Sequence, residues 1–591
     1  MNDYWAPVRE LMHGLTYHAD LPGLHGIPGN EGADPHLVRQ ILEEAGKLAA
    51  HEIAPLNFSG DREGARLVDG QVRTPAHWAE AYRKYREAGW NALPFEPAYG
   101  GHGMPWAVAM TLEEIWHGAN TAWALLPLLN VGGVELLQAH GSPWQRQTFL
   151  PKMIAGEWTG TMNLTEPQAG SDVGALKTRA VPEGEHYRIT GQKIYITFGE
   201  HDMSDNIVHM VLARTPGAPR GTKGISLFIV PRYLPDADGR PGVANDLRCL
   251  SIEDKMGIHG APTCTMAFGD EGGAVGYLVG EECRGMAQMF TMMNNARLNV
   301  GIQGIGIAER AYQAALSHAR QRVQSRDVAS RDPAPVPIVS HPDVRRMLLS
   351  MRSRIAAQRA LALYAGGLLD RAKQHPDPAT RERAQARVDL LTPVVKACGS
   401  DLGVEASSLA VQIHGGMGYV EDAGVAQHYR DARIAPIYEG TNGIQALDLV
   451  MRKVLRDDGA SLRAFLDDLR EMCPASDALG DTGQSIPARL KAAVDRAVSV
   501  SDHVRRSGGQ DPALAAAQAT PLLELIGTVA GGVLIARGAA AARLEGDDAF
   551  ARGQTQAAAF YATSILPRTE TYAAQVFDGG ETVRLADPDA F

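Results

Sequence analysis

The spacing of hydrophobic residues changes several times along the chain and predicts helical regions on either side of a β region. In the first 157 residues, apolar side chains recur every three or four positions, as on one face of a helix. The helices predicted there are 36–56, 75–89 and 106–138. Residues 1–34, rich in Gly, His and Pro, are predicted to form a loose arm, so the first domain is helical over 35–158.

Between residues 159 and 282 apolar and polar residues alternate, which is typical of half-buried strands. Strands 187–190 and 193–197 are predicted to form a hairpin through Gly191 and Gln192. Further strands are predicted at 206–214, 224–230 and 263–268. About seven short strands with turn residues between them favour a small β-barrel or sandwich.

Helical spacing returns at residue 285 and continues to the end of the chain. Four long helices, predicted at 286–323, 343–374, 379–415 and 441–455, suit an antiparallel four-helix bundle over 283–457. Residues 458–591 are rich in Ala, Leu and Arg and are predicted to form an extra, separate C-terminal helical domain. The predicted fold class is therefore α+β, mainly α.

Composition excludes several classes of protein. The chain has 591 residues, a net charge of −11 and 45% hydrophobic residues, which indicates a globular protein of several domains and argues against a nucleic-acid binder. Its five cysteines include no C-x-x-C pair, which argues against a disulfide framework or zinc site and fits a reducing compartment. The N-terminus has no secretory pattern, and the apolar run 522–536 is too short to span a membrane and predicts a buried helix. A cytoplasmic location without a membrane span is expected.

One carboxylate, Glu439, has surroundings suited to chemistry. It follows the apolar pair Ile437-Tyr438, which would remove water from the carboxylate and raise its proton affinity, as a base at neutral pH requires. It precedes Gly440, and glycine lets the backbone approach a bound group closely. The alternative is an ordinary acidic residue at the start of a helix.

Two further motifs are rich in turn residues. The first, Leu-Thr-Glu-Pro-Gln-Ala-Gly-Ser-Asp-Val-Gly at 164–174, lies between the helical and β regions. It offers amides and hydroxyls to a ligand, or serves only as a tight interdomain turn. The second, Gln-Ile-His-Gly-Gly-Met-Gly-Tyr at 412–419, could simply end a helix.

Together, the order of regions and these motifs resemble the acyl-CoA dehydrogenases over roughly residues 35–457. The resemblance implies an FAD enzyme that removes an α-proton and a β-hydride from an acyl-CoA thioester. Glu439 matches the base, and its backbone N–H would help hold the thioester oxygen. Some relatives place their base directly before the arginine that matches Arg297, but Ala296 occupies that position here.

The resemblance also implies which residues bind the cofactor and the substrate. The positions that match FAD contacts are Leu164, Thr165, Ser171, Tyr195, Thr197, Arg322, Gln412, Gly415, Gly416 and Thr441. The positions that match substrate contacts are Ser171, Arg297 and Gly440. Ordinary strand alternation is the other explanation of Tyr195 and Thr197. The chain departs from the family pattern at Asn163, Gln427 and Gly443.

The length of the chain and the segment 255–264 are similar to a long bacterial subgroup of this family. That similarity implies a short or medium acyl chain, with the 3-methylmercaptopropionyl thioester as the most specific candidate. It further implies an electron-transferring flavoprotein as acceptor and a homodimer or homotetramer whose FAD contacts both subunits. An oxidase that uses oxygen, a DNA-associated member and a non-catalytic homologue are the alternatives.

Overall fold

The N-terminal region is mainly helical in the computed structural model, which describes residues 4–480, 483–546 and 548–591. Its helices are α1 (Val8–Gly14), α2 (Leu21–His25), α3 (Pro35–Leu48), α4 (Pro55–Glu63), α5 (Trp78–Glu87), α6 (Trp106–His140) and α7 (Pro143–Ile154). A short hairpin interrupts them, formed by β1 (Arg66–Val68) and β2 (Gln71–Arg73). The all-helical prediction for this region missed that hairpin.

The predicted loose arm is wrong for the residues that the structure describes; residues 1–3 lie outside them. Leu11 and Leu15 are completely buried, and the Tyr4 hydroxyl donates to the carbonyl of Ile115 in α6 at 3.1 Å. The Trp5 carbonyl accepts from the Gln313 side chain at 2.9 Å. The arm packs because its apolar residues have helical spacing, which outweighs its Gly and Pro content.

The β region contains ten strands, eight of which form one curled sheet. They are β3 (Trp158–Asn163), β4 (Arg179–Glu183), β5 (His186–Thr197), β6 (Asn206–Ala213), β7 (Ser226–Pro231), β8 (Tyr233–Pro235), β9 (Pro241–Ala244), β10 (Leu247–Ile252), β11 (Thr263–Phe268) and β12 (Ala274–Leu278). The sheet order is β10-β11-β5-β12-β7-β6-β3, with β4 also paired to β5, whereas β8 and β9 pair separately.

The hairpin predicted at Gly191-Gln192 is wrong, because β5 runs through both residues without a turn. Gly191 is required for a different reason. A Cβ at this position would lie 2.5 Å from the Thr178 hydroxyl oxygen and 2.9 Å from the Thr178 Cα, so only glycine lets the neighbouring backbone approach this closely. Sequence alone could not distinguish close approach from a turn.

Long helices follow the β region. The bundle consists of α8 (Gly285–Gln321), α9 (Pro342–Gln374), α10 (Pro378–His414), α11 (Val425–Ala432) and α12 (Asn442–Leu447), with short strands β13 (Val323–Arg326) and β14 (Pro335–Pro337) between α8 and α9. The C-terminal region consists of α13 (Ala460–Glu471), α14 (Ile486–Gln510), α15 (Pro512–Ala517), α16 (Ala519–Glu545), α17 (Ala549–Phe560), α18 (Arg568–Ala574) and α19 (Gly580–Arg584).

The bundle and the C-terminal region share one hydrophobic core. Ile355 of α9, Val394 of α10 and Ile526 of α16 belong to the same buried cluster. The extra C-terminal helical domain is therefore present as predicted, and it packs as a layer on the bundle. Among the residues that the structure describes, two helices, α6 and α16, are long and apolar enough to cross a membrane, and both are mostly buried inside the protein.

Candidate active site

Glu439 lies in the turn between α11 and α12. The side chain of Thr441 caps α12 by accepting from the Ile444 amide at 3.2 Å, and the Asn442 amide donates to the Pro436 carbonyl at 3.0 Å. These two bonds close the turn around Glu439. The predicted helix 441–455 begins where expected, and after α12 it continues as a wider π-helical segment, Asp448–Val454.

Glu439 has a left-handed backbone conformation, with φ of 55°, which is rare for a residue other than glycine. Its carbonyl accepts from Arg297 at 3.3 Å and from Gln445 at 3.2 Å. The next carbonyl, of Gly440, accepts from the Lys396 ammonium at 2.9 Å. These side chains hold the backbone in a conformation that costs of order 1–3 kcal/mol.

The Glu439 carboxyl has the electrostatic surroundings of a base. Burial raises its pKa, although the charges of Arg297 and Lys396 act in the opposite direction. The Glu439 N–H makes no hydrogen bond within the described part of the chain, so it is free to donate to a ligand. The carboxyl and the free amide together offer a proton acceptor and an oxyanion donor on one residue.

The β domain is hydrogen-bonded to the helix that precedes this turn. Thr197, at the end of β5, pairs with Thr263 at the start of β11. In the loop before Thr263, the Ile258 amide donates to the Asp431 carboxylate of α11 at 2.5 Å. Phe198 and Tyr438 pack in one hydrophobic cluster. The structure therefore brings the end of β5 next to the Glu439 turn.

The motif at 164–174 is fixed by a buried ion pair. The Lys193 ammonium donates to the Leu164 carbonyl at 3.0 Å and to Glu166 at 2.8 Å. Although burial alone would raise the pKa of Glu166, Lys193 and the hydrogen bonds from Thr178 and the Lys177 amide lower it to about 2. The Leu164 and Thr165 backbone is thus rigid, and Ser171 beyond it is exposed.

The remaining predicted FAD contacts lie together, away from the Glu439 turn. They are Arg322, Gln412, Gly415 and Gly416. The His318 ring near the end of α8 stacks on the His414 ring at the end of α10, with centroids 4.2 Å apart. Gln412 is sixteen residues beyond Lys396 on α10, which corresponds to about 24 Å of helix. Within one chain, these residues are therefore remote from Glu439 and Thr441.

The Glu439 turn with the end of β5, and the region around Arg322 and Gly415, each suit one part of a large anionic, aromatic cofactor. At Gly415 and Gly416 an added Cβ would meet no atom within 4 Å, so their backbone faces open space. The Arg322 guanidinium is exposed and forms no ion pair within the described residues, which fits a phosphate group. In β5, the Tyr195 ring is 61% exposed and could cover a planar ring. The residues present fit FAD.

Two departures from the expected motif are explained by local contacts. Asn163 is fully buried and donates to the Thr161 hydroxyl at 2.7 Å, so it belongs to a polar group inside the sheet. Gln427 donates to Asp431 at 3.1 Å. Burial raises the pKa of Asp431 to about 6, and Asp61 adds to the effect, whereas the hydrogen bonds from the Ile258 amide and Gln427 act in the opposite direction.

Sequence reasoning missed three side chains that hold the Glu439 turn: Lys396, Asn442 and Gln445. The Asn442 amide oxygen accepts from Lys396 at 2.8 Å, and Gln445 bonds the Glu439 carbonyl. Lys396 had a detectable signal, because it is a single charge inside the apolar helical run that includes Val394 and Val395. A lone charge on a core face requires a partner.

Family models match nearly the whole chain. The acyl-CoA dehydrogenase N-terminal domain matches residues 38–157, the middle domain matches 161–270 and the C-terminal domain matches 283–455. A model described as acetyl-CoA dehydrogenase C-terminal like matches residues 461–586. The predicted resemblance and the predicted order of domains are confirmed.

Individual relatives agree with the family models. The chain is 44% identical to 3-methylmercaptopropionyl-CoA dehydrogenase of Ruegeria pomeroyi, with 99% of each chain covered. A solved structure of Caenorhabditis elegans ACDH-11 superposes with a TM-score of 0.76 at 20% identity, covering 94% of each chain. A chain in a structure titled for the electron transferring flavoprotein of Acidaminococcus fermentans has a TM-score of 0.59 and 28% identity, covering 71% of this chain and 98% of that chain.

Proposed function

The chain belongs to the acyl-CoA dehydrogenase family, and from this membership we propose that Glu439 is its catalytic base and a short or medium acyl-CoA its substrate. The enzyme catalyses FAD-dependent α,β-dehydrogenation of an acyl-CoA thioester to the trans-2-enoyl-CoA. The observation that carries the site assignment is Glu439 itself, a carboxyl of raised pKa beside a free backbone amide.

The protein's part in the reaction is to accept a proton and to hold the oxyanion. FAD, when bound, supplies the acceptor for the β-hydride. Glu439 takes the α-proton on its carboxylate, and its raised pKa increases its affinity for that proton. The Glu439 N–H donates to the thioester oxygen, where negative charge develops as the α-proton leaves. Because both groups belong to one residue, the substrate carbonyl and α-carbon are oriented together.

Two groups of residues are proposed to hold the cofactor. The first group would line the flavin end and the pyrophosphate, because its members are placed around the end of β5 and the Glu439 turn. It consists of Leu164, Thr165, Ser171, Tyr195, Thr197 and Thr441. Arg322, Gln412, Gly415 and Gly416 would bind the adenosine end. Since these lie about 24 Å away along α10, we propose that they serve the site of a second copy of the chain. A homodimer or homotetramer follows.

The proposed substrate is 3-methylmercaptopropionyl-CoA or another thioester of similar chain length. The support is the 44% identity to the Ruegeria pomeroyi enzyme of that name over 99% of both chains. Ser171, Arg297 and Gly440 are proposed to contact the substrate. An electron-transferring flavoprotein is the proposed acceptor, and the cytoplasm is the proposed location.

Anaerobic titration with acyl-CoAs tests the substrate proposal. The flavin absorbance of the purified enzyme would be followed with propionyl-, butyryl-, octanoyl-, palmitoyl- and 3-methylmercaptopropionyl-CoA. We expect the 3-methylmercaptopropionyl and butyryl thioesters to bleach the flavin fastest. Bleaching only by palmitoyl-CoA would contradict the substrate class, and no bleaching by any thioester would contradict the reaction. Rapid reoxidation by oxygen after bleaching would identify an oxidase.

Replacing Glu439 by Gln tests the base assignment. The variant keeps the size of the side chain but cannot accept the proton, so we expect normal flavin content and at least about a thousandfold slower flavin reduction. Glu471→Gln, on the exposed face of α13, is the matched control and should behave as the wild type. Near wild-type reduction by the Glu439→Gln enzyme would exclude this role.

A further inference from the structure

A fully buried lysine lies directly behind the Glu439 turn. Lys396 is in the middle of α10 and is 0% exposed. Its ammonium donates to the Gly440 carbonyl at 2.9 Å and to the Asn442 side-chain oxygen at 2.8 Å. Asn442 in turn bonds the Ser400 hydroxyl of α10 at 3.1 Å. The turn is thus attached to α10 through the Lys396 ammonium and through Asn442.

The burial of Lys396 requires an explanation. No ion pair among residues 4–480, 483–546 and 548–591 includes it, so no carboxylate contacts the ammonium directly. Burying an ammonium without such a partner costs several kcal/mol even after relaxation. A methionine would fill the same space in a hydrophobic core without this cost. A charge kept at such a cost beside a proposed active site indicates a role in that site.

We propose that Lys396 is a positioning residue for Glu439. It holds the Gly440 carbonyl and Asn442, so that Glu439 keeps its left-handed conformation and its amide stays directed at the substrate. Its positive charge also favours the ionised form of the Glu439 carboxyl, the form that accepts the proton. This inference rests on the proposed function of Glu439 as the base.

The charges around the pair are consistent with this role. Glu439 is influenced by Arg297 of α8 and by Lys396, and both lower its pKa against the effect of burial. Burial lowers the pKa of Lys396 to about 8, whereas Glu439 and Asp401 of α10 raise it. Asp448, after α12, acts on Arg297. With a pKa of about 8, Lys396 is charged at acidic pH.

The test compares Lys396→Met, Asn442→Asp and Glu439→Gln as FAD-loaded enzymes. Methionine preserves the length of the side chain but removes the charge and both hydrogen bonds. We expect Lys396→Met to retain flavin, to lose at least about tenfold in the rate of flavin reduction by 3-methylmercaptopropionyl-CoA or butyryl-CoA, and to change KM less. On the acidic side of its pH profile (the acidic limb), the pH at which the rate falls to half should rise by about one unit.

Asn442→Asp provides a second, milder perturbation. It keeps Lys396 and the shape of its neighbour but places a carboxylate against the ammonium, which offsets the charge felt by Glu439. Its acidic limb should shift in the same direction. Lys152→Met, which removes a half-exposed lysine of α7 from the pair with Glu157, is the control and should have the wild-type profile.

The outcomes separate this inference from the proposed function. Full activity of Glu439→Gln would overturn the base assignment. An inactive Glu439→Gln together with a wild-type rate and acidic limb in folded Lys396→Met would overturn the role of Lys396 alone. If Lys396→Met does not fold, an unchanged acidic limb in Asn442→Asp overturns that role.

Discussion

At the scale of single residues, Glu439 combines two costs that a purely structural residue would avoid. Its φ of 55° is unfavourable for a side chain with a Cβ, and burial makes its charge unfavourable. Both costs are offset by side chains that the fold holds in place. Arg297 and Gln445 donate hydrogen bonds to the Glu439 carbonyl, and Lys396 donates one to the Gly440 carbonyl. Such local strain, stabilised by its surroundings, is concentrated at functional sites.

The raised pKa of Glu439 predicts the acidic side of the pH profile. The base acts as a carboxylate, so activity is present above its pKa and is lost as the pH falls through it. We expect kcat/KM to decline with an apparent pKa above the ordinary glutamate value of about 4.3. Stopped-flow flavin reduction between about pH 4 and pH 9 would measure it, with circular dichroism at each pH to exclude unfolding. An apparent pKa at or below about 4.3 would contradict the prediction.

At the scale of elements, the site depends on the close crossing of α8 and α10, the helices that carry Arg297 and Lys396. Glycines make this approach possible. A Cβ on Gly304 would lie 2.1 Å from the Gly399 carbonyl oxygen, and one on Gly301 would lie 2.5 Å from the Val395 carbonyl oxygen. The two backbones are therefore in direct contact, which fixes the distance between Arg297 and Lys396 behind the turn.

Gly304→Ala tests whether α8 and α10 are in direct contact, because contact would reverse the direction of the stability change that helix propensity predicts. Helix propensity alone would make alanine stabilising by about 1 kcal/mol, but the added methyl group meets backbone that cannot move aside. We expect net destabilisation by about 1–3 kcal/mol, seen as a lower thermal midpoint and slower flavin reduction. Gly509→Ala in α14, where a Cβ meets nothing within 4 Å, should be neutral or stabilising. Equal effects of the two substitutions would contradict the prediction.

At the scale of the whole molecule, one continuous core joins the bundle to the C-terminal helices, while the predicted cofactor contacts lie in two places. The shared core means that α16 supports α9 and α10 from behind. The separation along α10 means that one chain does not bring Gln412 to the Glu439 turn. A site completed by two subunits accounts for both groups of residues.

Complementation between two impaired variants tests the shared site. Glu439→Gln removes the base, and Arg322→Ala weakens the proposed adenosine contact of the partner's site. If sites are shared, a heterodimer of the two variants contains one wholly wild-type site and one doubly altered site. Doubly tagged, purified heterodimers should then regain about half of the wild-type activity. If each site is built within one chain, the heterodimer should be no more active than the two variants alone.

Much of the fold was predictable because periodicity reflects burial, and burial drives folding. The strand Thr263–Phe268 was predicted to the residue, and α6, α8, α9 and α10 were predicted to within about three residues at each end. Errors arose where one residue type serves two purposes. Gly191 was interpreted as a turn but permits close packing, and the arm's Gly and Pro residues concealed its buried leucines.

The sequence by itself determined the order of the domains, the family and the candidate base, because these follow from local spacing and from contiguous motifs. Only the tertiary structure decided how Glu439 is held. Arg297 is in α8, Lys396 is in α10 and Glu439 is in the turn before α12, so they are far apart in the chain and no local pattern links them. The conformation and pKa of Glu439 depend on which charges and donors the packing brings within a few ångströms, and such contacts have no signature in the order of residues.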